Sequence, residues 1–270
     1  MGWNLSDRTK TGLTAVLLVA GILGGCATPP PDSDPEAVSE FQRTNDPVEP
    51  TNRAIFSFND FADENVIAPA AEGYRTAVPA PARTGIRNFL NNLNEPLTFV
   101  NDVLQGEGSR AGGTFGRFLM NTTMGFLGFF DPAGDGGVAA YHEEDFGQTM
   151  AVWGLPDGPY VVLPLLGPSS VRDATGKAAD FFMSPVSLFG PGIPLPASLS
   201  KMGVGGIDKR EEHLDALKDI KKTSLDYYAS LRSLYRQRRL EDIRNGAPSV
   251  LPDPDLGYDI PPGGENLSQR

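Results

Sequence analysis

The 270-residue chain is long enough for one large domain or two small ones, and its 40% of hydrophobic residues supports a sizeable core. Gly at 31 and Pro at 24 exceed average usage, which implies many helix ends and loops rather than long regular elements. A formal net charge of −11 excludes a general nucleic-acid binder, whose phosphate contacts demand clustered Lys and Arg.

The first 25 residues read as an export signal. Arg8 and Lys10 form a positive start, and the apolar run 13–23 is too short to span a membrane with these flanks. The run ends in Leu23-Gly24-Gly25-Cys26, which resembles the bacterial lipobox, where the cysteine is lipidated and becomes the mature N-terminus. Cys26 is the sole cysteine, so no disulfide forms within the chain. Several acyl chains give stable anchoring where a single chain is marginal. Ala27, rather than Asp, follows the cysteine, which in lipoproteins of this type goes with sorting to the outer membrane. Residues 26–44, rich in Pro and acid, then read as the lipidated cysteine and a solvated tether reaching at most about 60 Å.

From Thr51, apolar residues at Ile55, Phe58, Ala62 and Val66, widened by Phe56 and Phe61, predict an amphipathic helix ending before Pro69. Ile86, Phe89, Leu90 and Leu93 follow helical spacing, and Leu97, Val100 and Leu104 carry it past Pro96 until Gly106 and Gly108 stop it. Asn88, Asn91, Asn92 and Asn94 line the opposite face with amide rather than charge. The stretch 114–130 is the hardest to place. It is rich in Phe and Leu but interrupted by Gly116, Arg117, Asn121, Gly125 and Gly128. As one helix it would be roughly 26 Å long, short of a bilayer core of about 30 Å, and Arg117 is costly at the centre of hydrocarbon. A simple span is excluded. A buried core helix and a helix-break-helix lying partway into lipid both remain.

Residues 131–137 form a turn cluster, and short apolar runs alternate with Gly and Pro through 172. The run 160–166 has strand character, but Pro164 counts against a strand. A short helix is expected over 177–182 and irregular chain over 184–197, followed by one long helix over about 206–244. The stripe Leu214, Leu217, Leu225, Tyr228, Leu231 and Tyr235 marks that helix as an ordinary soluble one, with Arg232, Arg236, Arg238 and Arg239 on its solvated face. Residues 246–270 read as an acidic, Pro- and Gly-rich disordered tail.

Motifs for chemistry fail in turn. Gly167-Pro168-Ser169-Ser170 lacks the closing Gly of a nucleophile elbow, and Ser198-Leu199-Ser200-Lys201 lacks its companion motifs. Gly176-Lys177 lacks the upstream Gly of a phosphate loop. His142-Glu143-Glu144-Asp145 suggests a metal, yet no zinc set with plausible spacing assembles from nearby residues, leaving at most a carboxylate calcium site. No catalytic residue, cofactor or metal is assigned.

Asn45-Asp46-Pro47-x-Glu49-x-x-Asn52-Arg53-x-x-Phe56-x-Phe58-Asn59 resembles the MlaA (VacJ) family of outer-membrane lipoproteins. The likeness continues through Tyr74-Arg75, Val78-Pro79-x-Pro81-x-Arg83, Asn88-Phe89, Asn92-Leu93-x-Glu95-Pro96 and Leu104-Gln105-Gly106. It runs on through Arg117-Phe118-x-x-Asn121-Thr122, Gly125, Gly128-Phe129, Asp131, Asp145-Phe146-Gly147-Gln148-Thr149, Trp153-Gly154, Gly158-Pro159-Tyr160, Leu163-Pro164, Gly167-Pro168-Ser169 and Arg172-Asp173.

The resemblance implies an all-α body over 45–245, a ring- or disc-shaped bundle of short, broken amphipathic helices around a central channel, embedded in the inner leaflet of the outer membrane. It implies removal of mislocalised phospholipid from the outer leaflet, delivery to a periplasmic lipid carrier, association with a trimeric porin, and no cofactor. Lipid would attach at Cys26. The channel or gate candidates are Asn52, Arg53, Phe56, Asn59, Arg117, Asn121, Gly125 and Gly128, with Gly125 and Gly128 as the break. Arg117 would then face the channel, a carboxylate or a headgroup. Capping and packing is the competing reading of Asn52, Arg53 and Asn59. For the whole chain the competing readings are a porin-associated structural lipoprotein without transport activity and a periplasmic lipid hydrolase.

Overall fold

The computed structural model describes residues 44–138, 140–183 and 195–245, with isolated positions between 31 and 38. The signal segment, Cys26, nearly all of the tether, the stretch 184–194 and the tail lie outside the described residues. The described chain is all-α apart from one small hairpin.

Helix α1 runs Glu49–Ala62. It does not stop before Pro69: a π segment, Asp63–Ile67, leads directly into α2, Ala68–Ala77. Pro69 falls in the first turn of α2, where a missing N–H is tolerated. Helix α3, Ala80–Gln105, starts behind Pro79 and accommodates Pro96 inside. Gly106, at φ 81, ends it by donating its N–H to the carbonyls of Asp102 and Val103. A tight turn then sends α4, Gly108–Thr123, back along α3, and these two helices share the most extensive packing in the molecule.

The helical part of 114–130 therefore ends at Thr123, two residues before the first expected breaking glycine. Short helix α5, Pro132–Asp135, is capped by Asp131, and α6, Phe146–Val152, by Asp145. Strands β1, Tyr160–Leu163, and β2, Gly167–Ser170, pair antiparallel with Tyr160 opposite Ser170 and Leu163 opposite Gly167. Pro164 does not prevent the strand because it stands just beyond it, in the turn, where no ladder N–H is required.

Helix α7, Val171–Met183, begins six residues earlier than expected, because the Ser170 hydroxyl accepts the Asp173 N–H and caps it. Helix α8 runs Leu195–Glu212, so 195–197, expected to be irregular, are helical. The expected single final helix is three. After α8 come α9, Leu214–Thr223, and α10, Tyr227–Arg244. Extended backbone at Ser224 ends α9, and Asp226 starts α10 afresh by accepting the Ala229 N–H at 3.1 Å. Leu225, between them, is fully exposed rather than part of a buried stripe.

Candidate functional site

Among the described residues, buried polar or charged side chains outnumber buried apolar ones. The apolar core proper is small: Tyr160, Val162 and Tyr228, with Ile55, Phe56 and Tyr235 packed against them. Helix α3 shows the arrangement best. Its buried residues are Asn92, Glu95, Thr98, Asn101 and Asp102, at helical spacing, whereas Val100, Val103 and Leu104 are exposed. Of the four asparagines on the amide face, Asn92 is buried, while Asn88, Asn91 and Asn94 are half-buried. Helix α4 repeats the pattern, burying Thr114, Arg117 and Asn121 and exposing Phe115 and Leu119.

Inside the α3–α4 pair, Arg117 is 4% exposed and faces carboxylates, one of the three surroundings the sequence allowed. Its Nε donates to Glu95 at 3.1 Å, and its Nη2 to both oxygens of Asp131 at 3.1 Å. Burial pushes the Glu95 carboxyl up to about 6 despite Arg117 beside it. Burial would also raise Asp131, but Asn121, the Gly134 amide and Arg117 together hold it below its ordinary value. Asn121 donates to Asp131 at 2.8 Å and accepts the Ala133 N–H at 3.1 Å, tying α4 to α5.

Between these helices, 124–130 closes on itself as a loop. Phe126, Leu127 and Gly128 take φ of 51°, 60° and 95°, and Asn92 reaches across from α3 to donate to Leu127 O at 3.3 Å and Thr122 Oγ1 at 2.9 Å. A side chain on Gly128 would collide with Asn92, and one on Gly125 would meet the carbonyls of Phe130 and Asn121. With the polar groups of the loop bonded inward, Met124, Phe126, Leu127 and Phe130 are more than half exposed.

The α1 candidates serve the hairpin and α10. Asn52 donates to Asp46 and Tyr160 O and accepts the Val162 N–H at 2.9 Å. Asn59 brackets the hairpin turn, donating to Leu163 O at 2.9 Å and accepting the Leu165 N–H at 2.8 Å. Arg53 pairs with Glu49 and Asp226 and lies over the Tyr228 ring at 4.3 Å, while Phe56 stacks edge-on with Tyr227 and Tyr228. These are packing and capping geometries. Asn52, Arg53, Phe56 and Asn59 converge on α10 and the hairpin, and Arg117, Asn121, Gly125 and Gly128 on the α3–α4 pair, so the candidates form two groups.

Arg238 is exposed, as a solvated face requires, but Arg232, Arg236 and Arg239 are partly buried and bonded. Arg232 donates to Asp46 at 2.8 Å, Arg236 to Thr44 O at 2.6 Å, and Arg239 grips Asp145 at 2.6 and 2.7 Å with Asp173 at 2.9 Å. Tyr228 and Tyr235 donate their hydroxyls to Asp46 and Asp173. Two Tyr-x-x-x-Arg clamps seven residues apart therefore close on two buried carboxylates. The second holds Asp145 and Arg172-Asp173 as capping and ion-pair residues.

Two sequence candidates for chemistry take definite places. Asp102 joins His142 and Glu144 from 40 residues away, bringing their ligand atoms within 4.8 Å of one another, a grouping invisible to local spacing. The oxygens are already engaged: Thr114 and His142 donate to Asp102, and Arg110 and Gln105 to Glu144 at 2.5 and 2.8 Å. The Arg110 guanidinium supplies the positive charge a metal ion would bring. Ser169 accepts from Lys177 at 3.3 Å but has no exposed surface, so no acyl group reaches its hydroxyl in this arrangement.

A cavity of about 430 Å³ opens between α1, the hairpin, α9 and α10. Its wall is apolar, with Phe56, Leu217, Leu231 and Leu234, and its charged lining includes Arg210, Arg238 and Asp242. Exposed apolar side chains lie on several elements, and some of them meet in direct contacts. Phe89 stacks on Phe129 at 5.0 Å, Phe99 meets Phe115 at 5.7 Å, and the Trp153 indole donates to Leu104 O at 3.0 Å. Arg172 donates to Leu155 O, and the Asn59 bond sets Leu165 beside the α1 face that exposes Phe58 and Phe61. Soluble monomers rarely show contiguous apolar surface beyond a few hundred Å². No helix among the described residues is long and apolar enough to cross a membrane.

Sequence reasoning missed Trp153, Leu165, Arg238 and Asp242 as site residues. The signal for the first two was a run of Leu and Trp punctuated by Gly and Pro, too irregular for any periodic template.

The family model described as MlaA lipoprotein matches residues 44–242. The intermembrane phospholipid transport system lipoprotein MlaA of Haemophilus influenzae is 35% identical over 242 residues, spanning 88% of this chain and 92% of the relative. That of Escherichia coli K12 is 36% identical over 240 residues, spanning 88% and 90%. A chain from a solved structure on the structural basis for maintenance of bacterial outer membrane lipid asymmetry superposes with a TM-score of 0.66 at 36% identity, covering 73% of this chain and 98% of that one. Sequence and fold agree over the same body, and the chain belongs to the MlaA lipoprotein family.

Proposed function

We propose that this protein is an outer-membrane lipoprotein, anchored on the periplasmic side through lipid on Cys26, that removes mislocalised phospholipid from the outer leaflet and passes it to a periplasmic lipid carrier. The observation that carries the reading is the inversion of polarity: charged and amide groups are paired inside, and Phe, Leu, Val and Trp face outward. In water that arrangement exposes apolar surface at about 25 cal/mol per Å², whereas acyl chains solvate it without cost. Inward pairing of backbone and polar side chains is what hydrocarbon demands of any body that enters it.

The body lies in the inner leaflet as a ring or disc of short helices, with 124–130 among its most deeply inserted parts. Lipid moves through an amphipathic channel, of which the α1–α10 cavity is a candidate section. The names of the relatives support phospholipid as the cargo. A trimeric porin is the expected neighbour in the membrane, giving the short-helix body a wall against which to sit. Transport is passive, driven by the affinity of the downstream carrier.

Deletion of the gene is expected to leave phospholipid in the outer leaflet, read as sensitivity to outer-leaflet phospholipase, with rescue by the wild-type chain. Intact asymmetry with altered porin assembly would contradict the reading and leave a structural role.

A further inference from the structure

Three charged groups face the α1–α10 cavity with bonding capacity left over. Arg238 and Asp242 stand one turn apart on α10, and neither makes a side-chain hydrogen bond or close ion pair with any described residue. Arg210 spends Nε and Nη2 on Asp63 at 2.7 and 2.8 Å, and its buried Nη1 has no partner among the described residues. The other charges of the lining are engaged. Lys221 donates to Asp60 at 2.5 Å, and Arg239 closes on Asp145 and Asp173.

Helix stability does not account for this pair. A base four residues ahead of an acid is the weaker orientation for an i,i+4 pair. Asp242 also lies in the last turn of α10, against the negative end of the helix dipole. Burial keeps its carboxyl above the ordinary range, outweighing the arginines near it. The cavity thus offers one open carboxylate, the open guanidinium of Arg238 and the single free Nη1 of Arg210 beside the rings of Phe56, Tyr227 and Tyr235.

Resting on the lipid-transport reading, we propose that this cavity binds the headgroup of a zwitterionic phospholipid. Its phosphate takes Arg238 and the free Nη1 of Arg210, and its ammonium takes Asp242. A volume of about 430 Å³ suits a headgroup and the glycerol end rather than a whole diacyl lipid, with Leu217, Leu231 and Leu234 receiving the start of the chains. Aromatic faces add attraction for the ammonium. A phosphoglycerol headgroup of the same size leaves Asp242 opposite net negative charge. It is therefore disfavoured.

The test is calorimetric titration of the full protein, in nonionic detergent, with short-chain phosphocholine, phosphoethanolamine and phosphoglycerol lipids and with inorganic phosphate. Wild type is expected to bind the two zwitterionic lipids about tenfold more tightly than phosphoglycerol, the effect of one charge-assisted contact. Asp242→Asn should bring that ratio near one, and Arg238→Gln should weaken all three lipids. Both variants keep the wild-type circular dichroism, since neither side chain is bonded in the fold. Phosphoglycerol binding as tight as phosphocholine, or a ratio unmoved by Asp242→Asn, overturns the headgroup assignment alone. Inorganic phosphate binding as tightly as the lipids would make this a free-anion site and overturn it too. Failure of every short-chain phospholipid to bind would take the lipid-transport reading down with it.

Discussion

Arg117 has almost no exposed surface and stands between Glu95 and Asp131, so its removal leaves Glu95 as an uncompensated buried charge. Arg117→Ala is expected to cost about 3–5 kcal/mol in urea unfolding, with Glu95→Gln in the same chain recovering part of the loss. Glu95 also sets a pH dependence. Its folded value of about 6 lies above the ordinary 4.5, so its contribution is fully present below about 4.5 and is lost as pH rises through 6. The shift corresponds to about 2 kcal/mol. The stability of wild type minus that of Glu95→Gln should fall by that order between pH 4.5 and 7, and a flat difference would contradict it. Gly128→Val sets a β-branched residue at φ 95° against Asn92, and should lower the melting temperature and slow lipid movement while leaving membrane localisation intact. Gly125, Gly128 and Arg117 were legible in the sequence as anomalies in a greasy stretch. Their partners were not, because Asn92 and Glu95 approach only once α4 folds back along α3.

Helix α10 joins the beginning of the folded body to its middle through two clamps, Tyr228 with Arg232 on Asp46, and Tyr235 with Arg239 on Asp173. Two turns separate them, roughly 10 Å along the axis. Tyr228→Phe and Tyr235→Phe should each cost about 1–3 kcal/mol, and the double variant should be additive within about 0.5 kcal/mol. Strong coupling would mean that the helix is gripped as a single site. At this scale the sequence was legible in outline. The break expected at Gly125 and Gly128 falls after Thr123, whereas Gly106 as a stop and the amphipathic character of α3 follow from residue type. The direction of the faces did not. Periodicity fixes the axis that divides polar from apolar residues, but not which side turns inward. The boundaries inside 206–244 were hidden for a similar reason, since charged residues continue across His213 and Ser224 while the Asp226 cap competes with a continuous helix.

Taken whole, the body pairs polar and charged groups inside and exposes many apolar side chains, and the family resemblance supplied the setting in which that order is stable. Phe126→Asp with Phe130→Asp should weaken vesicle association of a Cys26→Ala chain, without altering the Arg117 network, because both rings point away from it. The most direct measurement uses Trp153, the sole tryptophan besides Trp3, which lies in the expected signal segment. Trp153 is half-exposed, and its indole N–H donates to Leu104 O. With the mature protein in phospholipid vesicles, lipids brominated along the acyl chain are expected to quench Trp153 fluorescence, and aqueous iodide to leave it largely unchanged. Efficient iodide quenching with no effect of brominated lipid would show that the exposed apolar side chains face water, contradicting the claim that acyl chains solvate this protein.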